Sequence, residues 1–213
     1  MTKIITPQDA NRISKLNNDI SNRTLIHLKE SDDIRSKDLK EFCDHLVSHA
    51  PKINITKEKV DSNEIPVILI GKSLSYHAVP LGAELEPFLK ALSFLNKNNL
   101  PLSTSVINKL KNIKLPASLK IYMSPQCPHC PVTIGKLIHL PFANDLIKLT
   151  IIDGFLFPEM SKKDKIQSAP TVILDEQFRW SGSIQLEEVL DVKGKTYKEV
   201  SIYFNKKQQI QKT

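Results

Sequence analysis

The sequence predicts an α/β fold of two tandem units, each a central mixed β-sheet flanked by helices. Three observations predict it. In the second half of the 213 residues, short strand-like runs alternate with helical patterns in the order β-α-β-α-β-β-α. The first half repeats that order. Two segments also echo each other at an offset of about 100 residues. Ile65-Pro66-Val67-Ile68-Leu69 echoes Ala169-Pro170-Thr171-Val172-Ile173-Leu174, and Gly82-Ala83-Glu84-Leu85 echoes Gly182-Ser183-Ile184-Gln185. The expected units are residues 1–115, including the connecting helices, and 116–213, including a basic tail.

In the first unit, Ile13, Leu16 and Ile20 share one side of a short opening helix. Thr24 to Leu28 reads as a strand. Asp38 to His49 reads as a helix with Leu39, Phe42, Cys43, Leu46 and Val47 on one face. A strand around Ile53 and Ile55 follows, then one from Glu64 to Ile70 behind a proline, with Ser73 to Ala78 as its hairpin partner. Helices are expected over Glu84–Leu95 and Ser103–Leu110, separated by a polar turn from Asn96 to Pro101. Leu100, Val106, Ile107 and Leu110 give this connection apolar surface to bury.

The second unit begins after Pro116. Leu119 to Met123 is strand-like, and a helical pattern runs through Ile134, Leu137 and Ile138. Leu146–Ile152 is a strand and Pro158–Ile166 a short helix. Pro170–Leu174 and Phe178–Ser181 form a hairpin, and Ile184–Leu190 closes the unit as a helix.

Composition narrows the functional classes. Hydrophobic residues make up 40% and charged residues 25%, which is a globular balance. Three cysteines are too few for a disulfide scaffold, and Cys43 reads as a buried apolar residue in its helix. The first residues lack the apolar core of a secretory signal, and runs such as Pro66–Ile70 are too short to span a bilayer. A cytoplasmic protein with no membrane partner is expected. The net charge of +7 comes from lysines dispersed along the chain. No zinc-finger spacing, aromatic-basic strand or arginine cluster accompanies it, so a solvated surface is expected rather than a nucleic-acid site. The tail from Lys206 to Lys212 reads as frayed.

The chemistry concentrates in Cys127-Pro128-His129-Cys130, at a strand-to-helix junction, and in Ser168-Ala169-Pro170-Thr171 far downstream. Two cysteines at this spacing can share one disulfide that opens and closes. The same spacing serves half of a zinc site or a structural disulfide. No glycine-rich nucleotide fingerprint occurs, so neither cofactor nor metal is expected in this chain.

These motifs, with Pro80-Leu81-Gly82 ahead of a helix, Tyr122-Met123-Ser124-Pro125-Gln126 leading into the cysteines, and Ile152-Asp153-Gly154, resemble the thioredoxin superfamily. More narrowly, they resemble tandem-thioredoxin protein disulfide oxidoreductases and glutaredoxin-like proteins, including the N-terminal module of the flavoprotein that reduces bacterial alkyl hydroperoxide peroxidase. The resemblance covers nearly the whole chain. It implies a thiol–disulfide oxidoreductase in which Cys127 attacks and Cys130 resolves. Cys127 would precede the helix, whose unpaired amides favour its anion, and Cys130 would sit about one turn in. Pro128 would occupy the first turn, where its missing amide costs no hydrogen bond. His129 either lends charge or a hydrogen bond to Cys127 or simply faces solvent. Ala169-Pro170 would be cis and face the dithiol, with Pro170 as a site residue. Ala169 and Thr171 would contact an extended substrate segment. Ile65-Pro66 is the counterpart in the first unit, which has Ser31 to Ser36 in place of a cysteine pair.

One departure stands out. Relatives often have a buried carboxylate behind the dithiol, and the strand here offers Lys120, Ile121 and Tyr122 instead. Asp153 or Glu159 would have to approach from elsewhere. The resemblance implies protein disulfides or a peroxiredoxin as acceptor and a separate flavin-dependent, thioredoxin-reductase-like donor. Alternatives are a glutathione-dependent glutaredoxin-like enzyme, and a non-catalytic binding or zinc module.

Overall fold

The computed structural model describes residues 5–20, 22–95 and 100–193. Residues 96–99 of the expected turn from Asn96 to Pro101 and the basic tail lie outside them. Thr6 starts the first helix: its hydroxyl accepts from the Asp9 amide at 3.1 Å, and Pro7 fills the first position. The elements then run α1 Pro7–Asp19, β1 Thr24–Glu30, α2 Arg35–His49, β2 Ile53–Lys59, β3 Val67–Ile70, β4 Leu74–His77 and α3 Leu85–Phe94. The connection to the second unit holds α4 Thr104–Lys111, and the second unit supplies β5 Ala117–Met123, α5 Cys130–Leu137, α6 Leu140–Ala143, β6 Ile147–Asp153, α7 Pro158–Lys163, β7 Thr171–Leu174, β8 Phe178–Ser181 and α8 Leu186–Lys193.

The strands form one eight-stranded mixed sheet in the order β2-β1-β3-β4-β6-β5-β7-β8. Its left half comes from the first unit and its right half from the second. The halves repeat one pattern: a parallel pair (β1–β2, β5–β6) and two antiparallel pairs (β1–β3–β4, β5–β7–β8). They join where β4 pairs in parallel with β6, Leu74 opposite Leu149 and His77 opposite Ile152. Each half would otherwise present a bare edge of unpaired amides and carbonyls, and this pairing covers one from each. Helices α3 and α5 pack across the same seam.

The core follows the apolar periodicity. On α2, Leu39, Phe42, Cys43 and Leu46 are fully buried. Each such large side chain contributes roughly 1.5–3 kcal/mol over exposure. Phe88 of α3 meets Phe42 and Tyr76 edge-on, with centroids 5.3 and 5.1 Å apart. Burial pushes the Cys43 thiol up to about 12, as expected of an inert core cysteine.

Four expectations are corrected. The first unit lacks the second helix of the repeat. Seven residues separate β2 from β3, and they hold the turn formers Asp61, Ser62 and Asn63, whereas 17 residues separate β6 from β7. Helix α2 starts at Arg35, three residues early, and α8 starts at Leu186, two residues late. Ile107 faces solvent, while Val106, Leu110 and Ile113 carry the burial of the connection. Helix α4 packs on α8, with Lys109 paired to Asp191 at 2.5 Å, and the Asn144 side-chain amide donates to the Leu110 carbonyl at 2.9 Å. No helix among the described residues is long and apolar enough to cross a membrane.

Candidate active site

Strand β5 ends at Met123, and the chain turns tightly before α5. The Cys127 amide donates to the Ser124 carbonyl at 3.0 Å, and the Cys130 amide to the Cys127 carbonyl at 3.4 Å. The regular helix therefore begins at Cys130, later than expected: Cys130 is its first residue rather than one turn in. Pro128 and His129 lie in the turn before it, and His129 is exposed. Pro131 takes an early helical position, where its missing amide leaves nothing unpaired.

Both thiols are free and differ in access. Cys127 is half-buried and its thiol donates to the Ala169 carbonyl at 3.4 Å. Cys130 is wholly buried (0% exposed), and burial together with the neighbouring Cys127 pushes its thiol up. The Ala169–Pro170 peptide is cis, as the resemblance implied, and is the single cis bond among the described residues. Thr171 is buried within β7, and its hydroxyl donates to the Ser168 carbonyl at 2.7 Å. Its side chain thus shapes the loop from within.

Beside Ala169 lies a cleft of about 210 Å³, lined by Met123, Ser124, Gly154, Phe155, Ile166 and Ala169 among others. Phe155 stands at its edge 79% exposed. Gly154 makes the close approach that forms this wall. A Cβ there would lie 2.8 Å from the Ser161 Oγ, whose hydroxyl donates to the Gly154 carbonyl at 3.0 Å.

A buried carboxyl close to α5 belongs to the other unit. Tyr122 and Lys120 are engaged with Asp164, at 2.7 and 2.9 Å. Instead Glu84, on a single 3-10 turn (Gly82–Glu84) ahead of α3, enters the seam beside α5. It is 4% exposed and neither carboxyl oxygen has a hydrogen-bond partner among the described residues. Burial, and then the charge of Asp153, push it up to about 7. Its charge in turn acts on Cys130. Gly82 makes the placement possible, because the chain enters the turn at φ +58°, where a side chain would be strained. Helix α1 holds that glycine: Arg12 donates to its carbonyl at 2.8 Å, and its amide donates to Asp9 at 3.4 Å.

Asp153 closes β6 and is also buried. Burial raises it, against the amides of Leu156 and Phe155 that donate to its Oδ1 at 3.2 and 2.9 Å. Glu159 turns away to Arg35. Sequence reasoning missed Glu84 because it sought the carboxylate on the dithiol's own strand or at Asp153 and Glu159 of the same unit. The Pro80-Leu81-Gly82 signal stood two residues from it. No cluster of three or more His, Cys, Asp or Glu that could hold a metal ion occurs among the described residues.

A half-buried thiol over a buried one, with an unpaired carboxyl behind them and an open carbonyl and cleft beside them, can perform disulfide exchange. Residues 117–192 match the family model described as a thioredoxin domain. The fold is of the thioredoxin type, built twice into one sheet, and its thiol pair has the chemistry for disulfide exchange. The chain is 28% identical over 190 residues to a Bacillus subtilis protein named NADH dehydrogenase, covering 85% of this chain and 37% of that one. It is 26% identical over 171 residues to the alkyl hydroperoxide reductase AhpF of Staphylococcus epidermidis, covering 78% and 33%. The chain thus spans little more than a third of these relatives' length. Among solved structures it is similar to the alkylhydroperoxide reductase AhpF of Enterococcus faecalis, with TM-score 0.77, 19% identity and coverage of 88% of this chain and 98% of that chain. A protein disulfide oxidoreductase from Aeropyrum pernix gives TM-score 0.76, 14% identity and coverage of 89% and 92%.

Proposed function

We propose that the chain relays two electrons from a separate flavin-dependent reductase to disulfides of partner proteins, a peroxiredoxin among them, through Cys127 and Cys130. The observation that carries this reading is the asymmetry of the pair: Cys127 is reachable beside the Ala169 carbonyl, and Cys130 is buried on the side of Glu84.

In this reading the Cys127 thiolate attacks one sulfur of the partner disulfide. A Cys127–partner bond forms, the partner's S–S bond breaks, and the leaving thiolate takes up a proton. The Ala169 carbonyl pairs with the partner's extended segment, and the cleft edged by Phe155 receives a neighbouring apolar side chain. Ionised Glu84 then takes the proton from Cys130, whose thiolate attacks Cys127. The Cys127–Cys130 bond forms and the partner leaves with two free thiols. Two electrons have passed to the partner, and the donor returns them by the reverse exchange. A carboxyl near 7 suits both directions, because it is part protonated at working pH. Pro170 sets the loop over the dithiol and Pro128 forms part of its rim. The first unit acts as a scaffold that supplies Glu84, residues 116–213 carry the exchange, and the setting is cytoplasmic.

The test is reduction of the oxidised protein by NADPH with thioredoxin reductase, run beside NADPH with glutathione and glutathione reductase. NADPH loss and free thiol at the cysteine pair are followed in both. Faster reduction through the flavin enzyme is expected. Reduction only through glutathione would move the assignment to a glutaredoxin-like enzyme.

A further inference from the structure

Where the second unit has its dithiol, between the first strand and the first sheet helix, the first unit has Asp33 and Arg35. Arg35 opens α2 as Cys130 opens α5, and its side chain is only 16% exposed. Asp33 holds the guanidinium with both carboxylate oxygens, accepting from Nε at 2.8 Å and from Nη2. The remaining arm crosses into the second unit. Nη1 donates to the Leu156 carbonyl at 3.0 Å and to Glu159 at 2.7 Å, and the guanidinium lies 4.2 Å from the centre of the Phe157 ring. His77, at the end of β4, packs edge-on against the same ring, with centroids 5.5 Å apart.

The turn leaving β6 is thus held from two sides. Within its own unit, the Gly154 amide donates to the Met123 carbonyl at 2.9 Å, and the Ser161 hydroxyl to the Gly154 carbonyl at 3.0 Å. The Phe155 and Leu156 amides donate to the Asp153 carboxylate, and the Phe157 amide to the Asp153 carbonyl at 2.9 Å. From the first unit come Arg35 and His77. Phe155 stands between Gly154 and the gripped Leu156, exposed at the edge of the cleft. With so little packing of its own, its side chain takes its place from the backbone on either side. The cleft also takes in Ala169, whose carbonyl accepts from the Cys127 thiol. A partner segment with its cysteine on Cys127 and its backbone along Ala169 brings its adjacent side chain to Met123, Ile166 and Phe155. These walls are apolar, and about 210 Å³ gives room for one large side chain. Glutathione flanks its cysteine with a γ-glutamyl group and a glycine, and has none to offer.

We propose that Arg35 is a positioning residue for substrate selection in the other unit: by clamping Leu156 to Glu159 it fixes Phe155 as a wall of the cleft, and so gives the dithiol a preference for protein disulfides with a large apolar side chain next to the cysteine. This rests on the exchange function proposed above. The selection acts through binding. The apolar side chain is seated before the sulfurs meet, so a loosened wall weakens association and leaves the exchange step to Cys127 and Cys130.

Two peptides test it, each with one cysteine joined by a disulfide to a coloured aromatic thiol, one with leucine and one with glycine beside that cysteine. Reduced protein is mixed with each, and release of the aromatic thiol is followed in a single turnover over a range of peptide concentrations. In wild type the half-saturating concentration should be about tenfold lower for the leucine peptide. Arg35→Met keeps the packing on Phe157 and removes the charged fork. It should lose most of that difference by a rise in the leucine peptide's half-saturating concentration rather than by a slower rate at saturation. Arg35→Lys keeps the charge and should lose less. Phe155→Ser should lose the difference with Arg35 intact, and the double variant should add nothing. Urea unfolding is recorded for each. A lower stability with the wild-type preference would make Arg35 a structural latch and overturn the proposal, as would an equal loss for both peptides. A wild type that treats the peptides alike would overturn it and leave the exchange function standing. Should Arg35→Met fail to fold, Arg35→Lys and Asp33→Asn decide by the same ratio. If Cys127→Ser releases the aromatic thiol as fast as wild type, the exchange function itself falls.

Discussion

At the head of its first sheet helix the second unit carries Cys127 and Cys130; at the same place the first unit carries Asp33 and Arg35. Both units keep the strand, the turn and the helix that would serve a dithiol. The first uses them for an ion pair that reaches into its neighbour, and also places the turn that carries Glu84 against α5 of that neighbour. A unit without thiols is therefore not inert padding. In the proposed exchange the thiols and the buried carboxyl that would carry their proton are divided between copies.

The sharpest break is at the thiols. Cys127→Ser should bring exchange down to the uncatalysed rate. Cys130→Ser should allow one attack and accumulate a mixed disulfide, which peptide mapping should place on Cys127. An adduct on Cys130 in the converse variant would reverse the roles. Next comes the first unit's contribution: Glu84→Gln should slow the resolving step by about 10²-fold and remove the rate change near neutral pH. An unchanged profile would confine the first unit to support.

The seam is tested by Leu149→Ala. Leu149 is fully buried and flanked by Leu74 and Leu119 on the adjacent strands. A loss of about 2–5 kcal/mol is expected in urea unfolding. Both units should still unfold in one transition, and two separate transitions would show that they fold independently. Smaller is the pH effect of Glu84 on stability. In the fold it keeps its proton to about 7, while an unfolded glutamate loses it near its ordinary, lower value. Across that window the unfolded chain is the more ionised, so wild-type stability falls as pH rises through it. Glu84→Gln should be the more stable protein above neutral pH, by on the order of 2–3 kcal/mol, with the difference gone in acid. The smallest effect belongs to Cys43→Ala, at about 1 kcal/mol with exchange unchanged. In native protein, thiol labelling should reach Cys127 first and Cys43 last.

Much of this was legible in one dimension. Period-2 and period-3.6 patterns placed the strands and helices, because each element must bury one face. The repeat announced two units, Cys127 and Cys130 stood out because thiol spacing is local, and Pro170 was marked by the resemblance rather than by its own neighbourhood. The start of α5 at Cys130 was misjudged, since the turn before it is held by the Ser124 and Cys127 carbonyls rather than by any propensity. The pairing of β4 with β6 decided the rest. It joined two edges whose pairing no motif announces, and so brought the turn of Glu84 against α5 and Arg35 onto the Leu156 carbonyl, neighbours that neither residue adjoins in sequence. A side chain's own periodicity reports which way it faces. What it will meet there is set by tertiary packing, which alone made a solitary buried glutamate into a neighbour of a dithiol.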